Sequence, residues 1–245
     1  MVDGVYHFAL EGRHCQQGVF ECPPRAPELI AKLTHMPKKT PLPAAPLELR
    51  EACVIAAQEV IAEKGVENLS LRDVARKLGV SHQAPYKHYP SRDHLLAEVM
   101  RRCFQRFAEH LDARGQFDKP QDDLAALGRQ YLSYARDHPL EYRLMFDTQW
   151  PESAAHPDLI RDAVHTYDIL RKVLRRLHGD AAALNDRVDL DALFIWSTVH
   201  GMAGVLNGNC IDKLNLKRKV LEQAIEHAIV MVELGLSRSQ MQADA

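Results

Sequence analysis

Ser81, His82, Gln83 and Lys87 lie within one short run and all offer hydrogen bonds of the kind that read base edges. A glutamine amide pairs bidentately with adenine, and a lysine ammonium reaches guanine. The charge around them is one-sided. From Ser70 to Arg106, eight basic residues (Arg72, Arg76, Lys77, Lys87, Arg92, Arg101, Arg102, Arg106) stand against three acids (Asp73, Asp93, Glu98). The whole chain carries a formal charge of −2, which alone argues against a generic nucleic-acid binder, so the excess of five is a local feature. A basic island on a near-neutral body is the electrostatic footprint of a DNA-binding module.

Such side chains read DNA only if an element carries them into the major groove. The stretch from Ser70 to Leu96 supplies one. Ser70 is a good N-cap, and Asp73 three residues on approximates a capping box. Leu71, Val74, Ala75 and Leu78 fall on one helical face, and Gly79 suits the left-handed conformation of a helix end. Val80 is the apolar residue of the turn, and Ser81 caps a second helix expected over about 82–88. This is helix-turn-helix spacing, in which the second helix enters the groove. A bracing helix over 47–64 repeats Leu49, Cys53, Ala56, Ala57, Val60 and Ile61 and ends at Gly65. Pro90 closes the second helix, and Ser91 caps a long one from Arg92 to about Arg114.

The rest of the composition fits an all-α protein. Apolar residues make up 46% and charged residues 26% of the 245 positions, as in ordinary soluble domains. Glycine is scarce and few runs alternate with period two. The five cysteines (15, 22, 53, 103, 210) are odd in number and scattered, with no disulfide framework or metal pair. His7, His14, Cys15 and Cys22 fit no common zinc pattern, and neither a metal site nor a cofactor is expected. No apolar run is long enough for a membrane span and the N-terminus lacks a signal peptide, so a cytoplasmic location is expected. Residues 1–46 hold seven of the thirteen prolines and read as a flexible extension, with Met36 an alternative start. Residues 237–245 read as a short tail.

The bracing helix followed by KGVENLSLRDVARKLGVS and APYKHYPSRDHLL resembles the N-terminal domain of the TetR family of transcriptional regulators, densely over residues 47–96. Its most recognisable piece is Tyr86-Lys87-His88-Tyr89 followed by the basic Arg92. The resemblance implies that Tyr86, His88 and Arg92 bind phosphates, with Arg72 a further candidate, while Ser81, His82, Gln83 and Lys87 face the bases. The alternative is that Tyr86 and Tyr89 belong partly to the core and that His82 is simply solvated. Pro85 stands where the family usually has leucine; in the first turn of a helix a proline forgoes one hydrogen bond and is tolerated.

Beyond Gly115, helices are expected from Pro120 to His138, over a short run carrying Tyr142 to Phe146, and over about 158–178, 189–206 and 216–236. The run LFIWSTVHGMAGVL at 193–206 is apolar nearly all round and should be buried on most sides. Trp196, His200 and Gly201, with HPLEYRLMF at 138–146, resemble the WHG subclass of TetR C-terminal domains. The resemblance implies a ligand-binding and dimerisation domain over 97–236, with the last two helices pairing two copies. Candidate ligand contacts are Tyr131, Tyr142, Met145, Phe146, Tyr167, Trp196 and His200; the alternative for each is core packing, and for His200 a satisfied core histidine. The implied function is a homodimeric repressor on a palindromic double-stranded operator, released by a small-molecule effector. Two alternatives stand beside it. One is a metal or redox sensor using Cys53, Cys103 or Cys210. The other is an enzyme with an accessory helix-turn-helix, although no nucleophile elbow, phosphate loop or HExxH motif is present.

Overall fold

Prolines and serines mark most helix starts. Pro46, Pro120, Pro139 and Pro157 each open a helix, at the position where a missing N–H loses no intrahelical bond. Ser70 and Ser91 cap two others, their hydroxyls accepting from the Asp73 N–H at 3.1 Å and the His94 N–H at 3.4 Å. The computed structural model describes residues 46–178, 185–208 and 211–243. Their helices are α1 (Pro46–Lys64), α2 (Leu71–Leu78), α3 (Arg92–Asp112), α4 (Pro120–Asp137), α5 (Pro139–Phe146), α6 (Pro157–His178), α7 (Asn185–Asn207) and α8 (Arg218–Ala243). No strand occurs among the described residues. The expected N-terminal extension up to residue 45, with Met36, His7, His14, Cys15 and Cys22, lies outside the described residues, as does Cys210.

α2 ends as its sequence asks. Gly79 takes φ 68°, in the left-handed region, and its N–H returns to the Ala75 and Arg76 carbonyls. α2 buries Leu71, Val74 and Ala75 against α1, and α1 packs in turn on α3. α3 lies along α6, and α4 along α7. The buried side chains form one continuous cluster from Cys53 of α1 to Leu236 of α8. α7 begins four residues before the expected Asp189, and α8 runs to Ala243, past Leu236.

The expected helix over 82–88 is not an α-helix. Residues 82–84 form a turn and Pro85–Lys87 a single 3-10 turn. The reason is Pro85. Having no N–H, it cannot bond to the Ser81 carbonyl, and that carbonyl is taken by the Ala84 N–H at 3.0 Å instead. The His88 and Tyr89 N–H groups then share the Pro85 carbonyl at 3.0 and 2.9 Å.

Charged clasps tie α6 to its neighbours at both ends. Asp162, in its second turn, accepts from Arg101 at 3.2 Å and Gln105 at 2.9 Å, both on α3. Near its C-terminus Arg176 donates to Asp123 of α4 at 2.5 Å. Asp123 is only 4% exposed and accepts a second guanidinium, Arg114, at 2.6 Å. Two cations, each donating one hydrogen bond, offset the cost of burying that carboxylate.

Candidate functional site

The run after α2 splits into an outer and an inner face. Ser81, His82, Gln83, Tyr86 and Lys87 are exposed, as is Arg72 in the first turn of α2; His88 and Arg92 are half-buried. Pro85 and Tyr89 point inward and are buried. Tyr89, 3% exposed, donates its hydroxyl to the Arg50 carbonyl at 3.3 Å, and burial raises its pKa. Tyr86, 43% exposed, packs into no such slot. The two tyrosines of the motif therefore have different jobs: one is core, the other is surface. Pro85 fills with its ring the inward position that a leucine would occupy.

Pairing across elements offsets most of the local positive charge. Six of the eight cations meet acids: Arg76 with Asp73, Lys77 with Glu59 and Glu63, Arg92 with Asp93, Arg101 with Glu98 and Asp162, Arg102 with Glu51 and Glu98, and Arg106 with Glu141. Most of these acids lie outside the Ser70–Arg106 window, so the count along the chain did not include them. Among the described residues Arg72 and Lys87 form no ion pair, and both stand on the outer face. Arg92 is committed further. Its Nη2 donates to the Val66 carbonyl at 2.7 Å, while Nη1 lies 3.0 Å from Asp93. This ties the start of α3 to the 3-10 turn Val66–Asn68.

A second feature lies between α3, α4, α6 and α7. A cavity of about 360 Å³ is lined by Phe104, Phe107, Leu111, Leu124, Leu127, Gly128, Tyr131, Phe146, Trp150, Ile160, Ala163, Val164, Thr166, Tyr167, Leu170, Ile195, Trp196 and Val199. Of the seven ligand candidates, Tyr131, Phe146, Tyr167 and Trp196 line it; Tyr142, Met145 and His200 do not. Met145 is fully buried core. Tyr142 and His200 stand behind Tyr131. The Tyr142 hydroxyl lies 2.6 Å and the Tyr131 hydroxyl 3.1 Å from His200 Nδ1, and the two hydroxyls are 3.2 Å apart. His200, half-buried, is thus held by two tyrosine hydroxyls outside the lining. Burial pushes the Tyr142 hydroxyl up to about 12, and burial together with Tyr142 raises Tyr131 as well.

Phe104, Phe107 and Trp150 were not among the candidates. The first two sit on α3, which reads as a connector. Trp150 follows α5 in a loop, its indole N–H donating to the Met145 carbonyl at 2.8 Å and its ring edge-on to Phe104 at 5.3 Å. The signal was present, because a tryptophan in a proline-flanked loop must bury its ring somewhere.

The cysteines that are described are poor sensors. Cys53 and Cys103 are buried, and burial pushes their thiols up to about 11 and about 12, away from the reactive thiolate. Among the described residues no three His, Cys, Asp or Glu side chains group as a metal site, and no helix is long and apolar enough to cross a membrane.

Two family models match the chain. Residues 55–99 match the bacterial regulatory proteins of the tetR family, and residues 124–230 match the tetracyclin repressor-like C-terminal domain. An HTH-type transcriptional regulator of Mycobacterium tuberculosis is 32% identical over 101 residues, which cover 40% of this chain and 43% of the relative. The matched region thus spans less than half of that relative. A protein of unknown function from Rhodococcus sp. RHA1 superposes with a TM-score of 0.64 at 24% identity, over 83% of this chain and 98% of its own. A transcriptional regulator from the same organism gives 0.56 at 25% identity, over 76% and 96%. The first likeness speaks for the fold alone. With the helix-turn-helix and the C-terminal bundle both matched, the chain belongs to the TetR family of DNA-binding transcriptional regulators.

Proposed function

We propose that the protein is a homodimeric repressor whose hold on operator DNA is released by a small molecule in the α3–α4–α6–α7 cavity. The supporting observation is that α3 belongs to both parts. It follows directly on the segment of Ser81, His82, Gln83, Tyr86 and Lys87, is tied by Arg92 to the Val66 carbonyl, and its second half supplies Phe104, Phe107 and Leu111 to the cavity. On this reading residues 47–96 bind DNA and 97–236 bind ligand and partner. Gln83 and Lys87 read bases; Arg72, Tyr86 and His88 hold phosphates. Arg92 keeps its bond to Val66 and exchanges Asp93 for a phosphate. A cytoplasmic location goes with this role.

The dimer would form through α7 and α8. Leu190, Leu193 and Phe194 on α7 and Val230, Met231 and Leu234 on α8 are exposed although large and apolar. Between them, Gly201 and Gly204 have no atom within 4 Å of where a Cβ would stand, room for a second helix to approach. Two copies would set their reading faces about one turn of DNA apart, ~34–36 Å, on a palindrome. A ligand that prefers another arrangement of α3 and α6 would draw them out of that spacing.

Selection of bound sequences from a random DNA pool, followed by anisotropy titration, tests this. Gln83→Ala should relax preference at one base pair by about 1–3 kcal/mol. Arg92→Ala should weaken every sequence alike and flatten the salt slope. If Arg92→Ala changed preference and left affinity intact, its assignment would be wrong. A monomer by sedimentation at DNA-binding concentrations would remove the palindrome.

A further inference from the structure

Building on the reading of the cavity as the effector site, we infer that its ligand is a neutral, largely aromatic molecule with a single N–H or O–H donor that docks on the Tyr131 hydroxyl. The charge follows from the lining, which contains no Asp, Glu, Lys, Arg or His side chain. An ionised ligand would leave water and meet no counter-charge there, so it is disfavoured relative to its neutral form. The ring character follows from the walls. Phe104 and Trp150 meet edge-on at 5.3 Å, and Tyr167 and Trp196 at 5.9 Å. Such pairs leave ring faces and edges to receive another flat ring in stacked or edge-to-face contact. The volume, about 360 Å³, is at the small end of the range for ligand sites, which suits a molecule of about two rings.

The single donor follows from which polar atoms are already used. The Trp150 indole N–H is taken by the Met145 carbonyl, and the Thr166 hydroxyl donates to the Ala163 carbonyl at 2.7 Å. The Trp196 indole N–H is directed at the Tyr131 oxygen, and the Tyr167 hydroxyl lies in the field of Asp189 and Arg171. At the Tyr131 end, His200 Nδ1 offers one lone pair, and Tyr142 occupies it at 2.6 Å. The Tyr131 proton can then turn to the Tyr142 oxygen 3.2 Å away. The Tyr131 oxygen, which faces the Trp196 N–H with one lone pair, keeps the other for a ligand donor, at an otherwise largely apolar wall. Val164, half exposed and also part of the lining, marks where α6 opens to solvent.

Two probes that differ by one charge test the inference. N-phenyl-1-naphthylamine is neutral, has two ring systems and carries one N–H; 8-anilinonaphthalene-1-sulfonate adds a sulfonate to the same frame. Fluorescence titration of the full chain should give one site per chain for the neutral probe, about tenfold or more tighter than for the sulfonate. Ala163→Leu, which fills the cavity, should abolish binding. Tyr131→Phe should weaken it several-fold, whereas Tyr142→Phe, which leaves the Tyr131 hydroxyl in place, should retain it. Tighter binding of the sulfonate, binding of neither probe, or undiminished binding to Ala163→Leu would each overturn the inference. Anisotropy on operator DNA separates this from the control reading. Tight binding of the neutral probe with unchanged DNA affinity leaves the ligand class standing and sinks the control reading. Release by the sulfonate alone does the reverse.

Discussion

Along α3, Leu95, Val99 and Met100 in the first half and Phe104, Phe107 and Leu111 in the second are all buried. The second three form a wall of the cavity, and none of the first three lines it. The difference lies in what faces them. The first half packs on α1, whose buried side chains are short: Cys53, Val54, Ala56, Ala57, Val60 and Ile61. Side chains of that size interdigitate until little space is left. The second half meets rings. Phe107 stands edge-on to Tyr131 at 5.3 Å and Phe104 to Trp150 at the same distance. Rigid planes in edge contact hold one another apart. Burial therefore does not separate a rigid end from an adaptable one; side-chain shape does.

The largest effect that probes this contrast is expected at Leu95, which is 0% exposed. Leu95→Ala should cost about 2–5 kcal/mol, seen as a fall in the urea midpoint, and Leu111→Ala, beside an existing void, should cost less. Equal costs would mean that the two halves are packed alike. Next in size is one substitution made at both ends. Ala57→Leu forces a side chain into filled space and should cost about 1–3 kcal/mol, while Ala163→Leu enters the cavity and should leave stability within about 0.5 kcal/mol. A large loss from Ala163→Leu would show that the cavity walls cannot accept bulk. Smaller still, Tyr142→Phe removes the 2.6 Å bond to His200 Nδ1. With Tyr131 3.1 Å from the same nitrogen and able to replace it, thermal unfolding should report a loss of about 1 kcal/mol, the low end for a buried bond. A loss of several kcal/mol would show that Tyr131 cannot turn to His200.

The smallest effect concerns pH and the seam between the halves, where Glu98 sits. Burial opposes its ionisation, yet hydrogen bonds from Arg101 and Arg102 prevail and hold its carboxyl below the usual range. A carboxylate whose folded value is depressed contributes stability above its unfolded value and loses it as pH falls through the folded one. The protein should therefore weaken on acidification below the ordinary carboxylate range. Glu98→Gln should be less stable at neutral pH and show a shallower acid slope. An unchanged slope in acid titration followed by circular dichroism would remove Glu98 from the account.

Much of the fold was legible residue by residue, because the signals were local. Ser70, Gly79, Ser91 and the opening prolines act within one turn of where they stand, and the helix limits follow. The segment 81–88 was legible in its exposed residues but not in its backbone. The sequence places Pro85 in the first turn of a helix, and its missing N–H leaves instead a turn at 82–84 and a single 3-10 turn at Pro85–Lys87. The charge island was overstated for a related reason. A window along the chain cannot include Glu51, Glu59, Glu63, Glu141 or Asp162, which approach from other helices. The cavity was half legible. Tyr131, Phe146, Tyr167 and Trp196 line it, while the rings of α3 and the loop Trp150 complete it. Which aromatic of a helix faces a void depends on how helices cross, and no periodicity within one helix carries that.

The two clasps on α6 give that helix the mechanics of a beam on two supports. Asp162 and Arg176 lie fourteen residues apart, a span of about 21 Å along a helix that resists bowing. Ala163, Thr166, Tyr167 and Leu170 face the cavity within that span. A load applied from below at mid-span is shared by both bearings. It reaches α3 through Arg101 and the start of α4 through Asp123 in the same displacement. Release of the Asp162 bearing alone turns that shared lift into a tilt about Arg176, and α3 then feels only what the apolar contacts of α6 transmit.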